Sequence, residues 1–451
     1  MKRFFIILSV FLFFIQAISF AQDTWSLEDC INYALENNLT IKRQQIQSQI
    51  AENKYNQSRF EYLPDLNGFV NHNLSSGKTV NYDKYEYVDQ TFQDGNLGLQ
   101  SNVTLFSGLQ NRNAMKMNHF SLLAGLQEVE KTKRNISMNI AAGFLDILLS
   151  NELLQVKKNQ YETTLLQIEK TKKLVEVGNA AKGDLLEMQA QAARENTDIT
   201  NASNNVKMAT LTLAQMLELD NEALKNFQVK LPEKLSIDEG QILYSADSVY
   251  LTAAEEMPEI KSAEYQMKSS EKGLDVARGM RSPEISLRGL YYSRYSEIAT
   301  RPLQPDASYP YIDQIGDNEY KQLTLTLSIP LFNKYKTQTA INNAKLNLRD
   351  AQYALKQSKQ VLFRDIQQAY ADAKAALDVF KSQTESVKYN KESFKYTQQK
   401  FDVGLVSSVD YNIAKNNLVK AQSDLIQSKY EYIFKSKILD YYRGVPISLK
   451  D

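Results

Sequence analysis

The chain contains two copies of one unit, and this internal duplication limits its possible folds more than any other feature. Residues 26–66 match residues 245–285 at a separation of 219 positions. Further along, the separation grows to 226 positions and matches Gly178 to Gly404. The change in separation falls in loop-like sequence, where insertions are tolerated. We therefore expect a first structural repeat at 22–217 and a second at 258–442. An equatorial connection at 218–257 would join them, and a tail would follow at 443–451.

Each repeat opens with a helical pattern. The sequence "SLED" at 26–29 resembles a capping box, with Ser as the N-cap residue and Asp at the third helical position. A longer amphipathic helix follows at about 39–61 and again at about 258–280. Pro64 and Pro283 come directly after these helices, and proline is a usual helix terminator.

The hydrophobic period then changes to two, which is typical of strands. In "NLGLQSNVTLF" at 96–106 and "QLTLTLSIPLF" at 322–332, apolar residues alternate with polar ones. A noisier alternation precedes each of these segments. We therefore expect four strands, at about 65–75, 96–106, 284–295 and 322–332, with loops at about 75–95 and 296–320.

Two very long helices are predicted next, at about 108–176 and 334–402. A helix of roughly 69 residues spans about 100 Å, and the steps of three, four and seven between apolar residues are those of a coiled coil. Val-Gly then interrupts each helix, and a return helix follows at about 182–217 and 408–442. A glycine directly after a helix readily adopts positive φ, so Gly178 and Gly404 are expected to turn two helical hairpins.

Asp184 and Asp410 follow these turns at the same spacing. One interpretation is that each aspartate caps its return helix and complements the helix dipole. The other is that the carboxylates form a ring at a pore mouth, where they attract cations. The two roles are compatible in one residue.

The first 21 residues are predicted to be a secretory signal peptide. Lys2 and Arg3 precede the apolar run "FFIILSVFLFFI", and small residues stand before Gln22. Beyond them, no apolar run approaches the roughly 18 residues that a membrane helix needs. We therefore expect an exported protein that makes any membrane contact through strands.

Composition argues against several classes of function. The chain has 53 basic and 53 acidic residues, so no basic excess suggests nucleic acid. One cysteine (Cys30) and two histidines (His72 and His119) favour neither a disulfide framework nor a metal site. No nucleotide-binding or zinc-protease motif is present, so we expect no enzyme, no catalytic residues and no cofactor.

Four strands of about ten residues suit a membrane barrel, with the apolar face toward lipid and the polar face toward water. One chain cannot close such a barrel, because open edges leave backbone groups unpaired in lipid. Two chains would supply eight strands and three would supply twelve, and counting strands does not choose between them. A four-stranded sheet on a soluble domain, with one face buried, is the alternative.

Together, the duplicated halves, the strand pairs, the long helices and the Val-Gly-x5-Asp turns resemble the TolC family of outer-membrane efflux channels, over about 25–445. The resemblance implies a mostly helical α+β fold with coiled-coil hairpins and four membrane strands per protomer. It implies a homotrimer in the outer membrane of a Gram-negative bacterium, with a twelve-strand β-barrel and a twelve-helix α-barrel that crosses the periplasm. It also implies a periplasmic adaptor protein at the hairpin tips (Val177, Gly178, Val403 and Gly404), and indirectly an inner-membrane pump of the RND or ABC type.

The periplasmic aperture departs from the family prototype. Asp410 matches an acidic aperture position, and Asp184 occupies the matching place in the first repeat. However, Phe401 stands where the prototype has a tyrosine, Val406 where it has an arginine, and Ile413 where it has a second aspartate. We therefore expect a weaker polar latch and weaker block by multivalent cations.

The expected function is passive efflux of small toxic compounds across the periplasm and the outer membrane. Protein secretion through the same duct is an alternative, since the inner-membrane partner selects the cargo. An exported coiled-coil scaffold or adhesin is a further alternative, although it would not explain the recurring strand pairs. Tyr291 and Tyr292 lie near strand ends and are predicted to join an aromatic girdle at the membrane surface.

Overall fold

A computed structural model describes residues 24–81, 86–231, 244–301 and 307–448. The predicted signal peptide at 1–21 lies outside these residues, as do Pro232 and Gly240 of the predicted connection. The elements of the first repeat, in chain order, are α1 (Leu27–Asn37), α2 (Leu39–Phe60), β1 (Asn67–Asn81), β2 (Glu86–Phe106), α3 (Gln110–Glu176) and α4 (Lys182–Met216). They are followed by α5 (Asn221–Asn226), α6 (Ala246–Glu256), α7 (Pro258–Gly279), β3 (Glu284–Ser296), α8 (Tyr311–Asp317), β4 (Tyr320–Ser328), α9 (Lys336–Asp402) and α10 (Ser408–Tyr442).

Matched helix lengths confirm the tandem duplication. The pairs α1 and α6, α2 and α7, α3 and α9, and α4 and α10 have 11, 22, 67 and 35 residues in each member. Even the turns into the long helices agree, because Gly108 and Leu109 have positive φ and so do Lys334 and Tyr335 at the matching positions. Since α6 is the counterpart of α1, the second repeat starts with α6, earlier than the predicted residue 258.

The described residues form two compact units, and each is described by itself. A strand unit lies within Ile46–Leu126 and Ser262–Gln357, and a helical unit lies within Met1–Gln45, Gln127–Lys261 and Ser358–Asp451. Among the described residues, no helix combines the length and the apolar character needed to cross a bilayer.

The strand unit contains one antiparallel sheet in the order β1-β2-β3-β4, so β1 and β4 are its edges. Leu99, Tyr291 and Lys321 are paired across three strands, and Val103, Leu287 and Leu325 are paired four positions further along. One face of the sheet is therefore largely apolar. On the opposite face, Asn71 donates to Asn96 across 2.7 Å, and Arg288 donates to Gln100.

Two of the predicted strand and loop boundaries are wrong. Most of the loop predicted at 75–95 is strand, because Leu74–Asn81 pairs with Glu86–Gln93 and extends the β1–β2 hairpin. Polar residues on both faces hid this extension from a search for apolar alternation. The fourth strand ends at Ser328, short of the predicted residue 332, since Pro330 cannot donate a ladder hydrogen bond.

The loop predicted at 296–320 contains the short helix α8. Gln314 on this helix is buried, and its amide bonds the backbone of Ser296 and Tyr309. These bonds hold α8 against the end of β3.

The helical unit has one large apolar core, formed by buried residues from α1, α3, α4 and α10, with Phe144, Leu213 and Tyr430 among them. Ser26 and Asp29 cap α1 with a capping box, as predicted. Cys30 lies in this core, and burial raises the pKa of its thiol to about 12. The predicted connection contributes α5 and a parallel bridge between Trp25 and Val229.

Candidate functional site

The two hairpin turns have the same backbone geometry. Gly178 has a φ of 80° and Gly404 a φ of 75°. In the first turn, the Asn179 amide donates to the Leu174 carbonyl across 2.8 Å; in the second, the Leu405 amide donates to Lys400 across 2.9 Å. This six-to-one bond, closed around a left-handed residue, is the Schellman motif, which satisfies carbonyls at a helix end. Both long helices therefore stop at glycine for the reason that the sequence indicated.

Apolar side chains are exposed beside both glycines. Val177 is 68% exposed and Val403 is 69% exposed, and Leu405 in the second turn is also exposed. Nothing lies within 4 Å of a Cβ built at either Gly178 or Gly404. The four residues predicted to contact an adaptor therefore lie at open, partly apolar turns, where the contact stays a prediction.

Asp410 caps its helix. Its backbone N–H donates to the Ser407 hydroxyl across 3.1 Å, and its carboxylate accepts from that hydroxyl across 2.8 Å. The Ser407 backbone N–H donates to the same carboxylate across 3.3 Å, which completes a capping box. One carboxylate oxygen of this exposed residue makes all these bonds, so the other is available to solvent or to a ligand.

Asp184 does not cap its helix, so the capping interpretation is wrong for this residue. The N-cap residue of α4 is Ala181, which has no side-chain cap. The Asp184 carboxylate instead lies 2.8 Å from the hydroxyl of Ser408, a buried residue on α10. Glu187 lies 2.6 Å from the same hydroxyl. Asp184 thus links the first hairpin to the second, whereas the Asp410 bonds seen within the described residues all belong to its own helix cap.

The other two aperture residues have different environments. Phe401 packs against Tyr411, with ring centroids 5.0 Å apart, and Phe394 packs on the same tyrosine at 5.4 Å. Tyr411 is buried, and its hydroxyl has no hydrogen-bond partner within the described chain. Burial, together with nearby Asp402 and Glu195, raises its pKa to about 12. Val406 lies half-buried in the turn.

Sequence reasoning missed a buried ion pair between the hairpins. Lys415 on α10 lies 2.6 Å from Glu195 on α4, and these side chains are only 3% and 2% exposed. Gln160 and Gln191 donate to the Glu195 carboxylate across 3.0 and 2.9 Å, and Thr164 bonds both charged groups.

Desolvation lowers the pKa of Lys415, while Glu195 opposes that shift. The sequence does indicate this pair, because polar residues of α4 occur at the spacing expected for buried apolar residues. Met188, Gln191 and Glu195 recur along one buried face of α4.

The two predicted girdle tyrosines lie on opposite faces of the sheet. Tyr291 is paired with Leu99 and Lys321 on the apolar face, and its hydroxyl donates to Glu319 across 2.9 Å. Tyr292, one residue later, lies on the polar face and packs on Tyr320. Because successive strand residues alternate between faces, only Tyr291 remains a candidate for contact with lipid.

Comparison with known proteins assigns this architecture. The family model described as outer membrane efflux protein matches residues 30–218 and 249–440, which together are most of the chain. The two matched segments correspond to the two repeats. This description concerns transport and not catalysis.

Similar proteins have the same description or the same fold. The outer membrane efflux protein BepC of Brucella suis biovar 1 (strain 1330) is 21% identical over 408 residues, covering 90% of this chain and 82% of BepC. The CmeC outer membrane channel of Campylobacter jejuni superposes with a TM-score of 0.77 at 18% identity, covering 95% and 90% of the two chains. The outer membrane protein VceC of Vibrio cholerae superposes with a TM-score of 0.76 at 14% identity, covering 93% and 96%. The resemblance seen in the sequence is confirmed: the chain belongs to the outer membrane efflux protein family, and it is an efflux protein of the outer membrane.

Proposed function

We propose that three copies of the chain form one channel-tunnel, which serves as the passive exit duct of a tripartite export system for small toxic compounds. The observation that carries this proposal is the four-stranded sheet. Its apolar face is exposed, with Val70 75% and Leu323 74% exposed, and its edge strands β1 and β4 do not pair with each other.

Closure with other copies resolves both features of the sheet. An exposed apolar face is stable against lipid acyl chains, whereas unpaired strand edges are not. Three copies would join β4 of one chain to β1 of the next and give twelve strands, enough to enclose a lumen. The polar face, with the Asn71–Asn96 and Arg288–Gln100 pairs, would then line the aqueous passage.

The hairpins would form the periplasmic part of the duct. Val177 and Gly178, with Val403 and Gly404, would contact the adaptor protein, since exposed apolar side chains beside a fixed turn suit a protein partner. Asp184, Phe401, Val406 and Asp410 would border the aperture. Energy for transport would come from an inner-membrane pump of the RND or ABC type, because this sequence contains no nucleotide-binding motif.

An efflux assay in living cells tests this function. Cells that lack the gene should accumulate a fluorescent pump substrate, and the wild-type gene should restore its export. Val403→Asp, which places a charge at the apolar tip, should fail to restore export although the protein reaches the outer membrane. Leu251→Asp is the matched control, because Leu251 is 70% exposed on α6, away from the tips. Unchanged accumulation in the deletion strain, or equal export by both variants, would contradict the proposal.

A further inference from the structure

Within one chain, α10 is joined to the α3/α4 hairpin through residues at heptad spacing. Ser408 lies 2.8 Å from Asp184, and Lys415 bonds both Thr164 and Glu195. Two heptads further along, Glu152 accepts from Lys429 across 3.0 Å and from Tyr430 across 2.8 Å. We call this set of contacts the intrachain seam.

The duplication provides a second copy of both sides of this seam. The repeats match at a separation of 226 positions, so the counterparts of Ser408, Lys415 and Lys429 on α10 are Lys182, Gln189 and Ser203 on α4. In the same way, the counterparts of Asp184, Thr164 and Glu152 are Asp410, Asn390 and Asp378. Lys182, Gln189, Asp378 and Asp410 are exposed. Among the described residues, neither Lys182 nor Gln189 has a side-chain hydrogen bond or ion-pair partner.

We propose that a second copy of the chain docks on α4 through the counterpart of the intrachain seam. Lys182 of one copy would bind Asp410 of the next, Gln189 would meet Asn390, and Ser203 with its neighbour Asn204 would donate to Asp378. This inference rests on the proposed function, which assumes that copies of the chain associate, and it adds which surfaces are in contact. We call this second set of contacts the interchain seam.

The chemistry of the matched positions supports this docking. A hydroxyl-to-carboxylate contact in the chain, Ser408 to Asp184, becomes an ammonium facing a carboxylate, Lys182 to Asp410. Glu152 accepts from two donors, Lys429 and Tyr430. Its counterpart Asp378 would likewise face two donors, the Ser203 hydroxyl and the Asn204 amide. The ion pair of Lys170 with Asp402, 3.8 Å apart, becomes Tyr396 with Glu176, again a donor and a carboxylate, and both residues are exposed. Two acceptors have no counterpart, because Glu187 and Glu195 become Ile413 and Ala421, but a donor still faces an acceptor at the other matched contacts.

The same relation also explains ring closure. The interchain seam joins two different surfaces, so it is heterologous, and heterologous interfaces close into rings when the rotation permits. A ring built this way alternates intrachain and interchain seams of related geometry. The seams differ at two points: the buried Glu195–Lys415 pair has Ala421 and Gln189 as its counterparts, and the Ser408–Glu187 contact has Lys182 and Ile413. The interchain seam therefore lacks the buried ion pair.

Paired cysteines test this docking. Ser408 and Asp184 are in contact through short side chains, so we expect cysteines at such a pair of positions to come close enough for a disulfide. Lys182→Cys with Asp410→Cys should therefore oxidise to covalent dimers and trimers on a denaturing gel without reductant. Asp184→Cys with Ser408→Cys is the matched control, since its disulfide should stay within one chain and leave the monomer mass unchanged. Native Cys30 is buried and remains in place.

A second pair avoids the helix cap at Asp410. Gln189→Cys with Asn390→Cys, treated with a short bismaleimide, should give the same ladder, and each single variant should give monomers. The inference is overturned if the protein keeps the native mass of a trimer while both pairs give only monomers; the proposed channel would then stand without this interface. A protein that is monomeric in detergent would overturn both.

Discussion

At the scale of single residues, the hairpin glycines are required for their backbone conformation and not for space. Gly404 has a φ of 75°, and a Cβ there would meet nothing within 4 Å. A left-handed conformation costs an L-residue roughly 1–2 kcal/mol. Gly404→Ala should therefore lower the free energy of unfolding by about 1 kcal/mol, seen as a lower apparent melting temperature by circular dichroism.

A second glycine supplies the control for that substitution. Gly183 lies in the first turn of α4, and a Cβ there also meets nothing within 4 Å. Gly183→Ala should raise stability by about 0.5–1 kcal/mol, because alanine restricts the unfolded chain. Equal effects of the two substitutions would contradict this interpretation of Gly404.

Removing the hydroxyl group is expected to have opposite effects on stability at two buried tyrosines. The Tyr411 hydroxyl has no hydrogen-bond partner in the described chain, whereas the Tyr430 hydroxyl donates to Glu152 across 2.8 Å. Removing a buried partner costs about 1–3 kcal/mol. Tyr430→Phe should therefore lower the melting temperature, while Tyr411→Phe should leave it unchanged or raise it. A comparable loss in both variants would show that Tyr411 has a partner after all.

The raised pKa of Tyr411 also predicts that the stability of the protein falls at alkaline pH. Its pKa is raised from 10 in the unfolded chain to about 12 in the folded protein. The neutral hydroxyl is therefore favoured by folding, and this contribution is complete below pH 10 and is lost as the pH rises toward 12. Tyr411→Phe should reduce the loss of stability between pH 10 and pH 12, as measured by melting temperatures across that range. An identical pH profile for the variant and the wild type would contradict the assignment.

At the scale of elements, the Glu195–Lys415 pair holds α10 to the α3/α4 hairpin. Breaking a buried ion pair by removing one partner typically costs 3–5 kcal/mol, whereas removing both charges costs far less. Lys415→Met alone should therefore be strongly destabilising. Lys415→Met combined with Glu195→Gln, which keeps an acceptor for Thr164, should recover most of the loss.

Thermal unfolding of the wild type, Lys415→Met, Glu195→Gln and the double variant completes this double-mutant cycle. The control is Lys420→Met, which removes an exposed lysine paired with Asp424 one turn along the same helix. An exposed pair contributes roughly 0–1 kcal/mol. A double variant as unstable as Lys415→Met would mean that the pair does not act as a unit.

The elements also show where sequence reasoning succeeds and where it stops. The long helices, their glycine stops and the strand pattern from Gln322 to Ser328 were predictable, because periodicity and turn chemistry are local. The extension of the β1–β2 hairpin was not, since residues such as Ser75 and Ser76 gain their strand conformation from cross-strand pairing with Phe92 and Thr91. The role of Asp184 was hidden for the same reason, because its partner Ser408 is more than 200 positions away.

At the scale of the whole molecule, the aperture acidity predicts how the channel responds to multivalent cations. Asp410 keeps one carboxylate oxygen outside its helix cap, and three copies would supply three such groups, each shared between the Lys182 ammonium of the proposed interchain seam and an approaching cation. Each carboxylate attracts a unit positive charge by about 1 kcal/mol at 4 Å in water, and salt together with the neighbouring Lys182 reduces the summed attraction of the three. Asp410→Asn, which keeps the cap acceptor, should raise the half-blocking concentration of a trivalent cation about tenfold in single-channel recordings. Asp198→Asn, on α4 beyond the turn, is the control; an equal shift in both would assign the block to another site.

The most direct test of the shared barrel is the native mass of the protein after membrane extraction. The protein should resist extraction by salt, require detergent, and give three times the mass of the mature chain by native mass spectrometry. That result follows from the open edges of β1 and β4 and from the exposed apolar face between them. A protein that salt releases from the membrane, or that has the mass of a single chain in detergent, would contradict the shared barrel and with it the proposed duct.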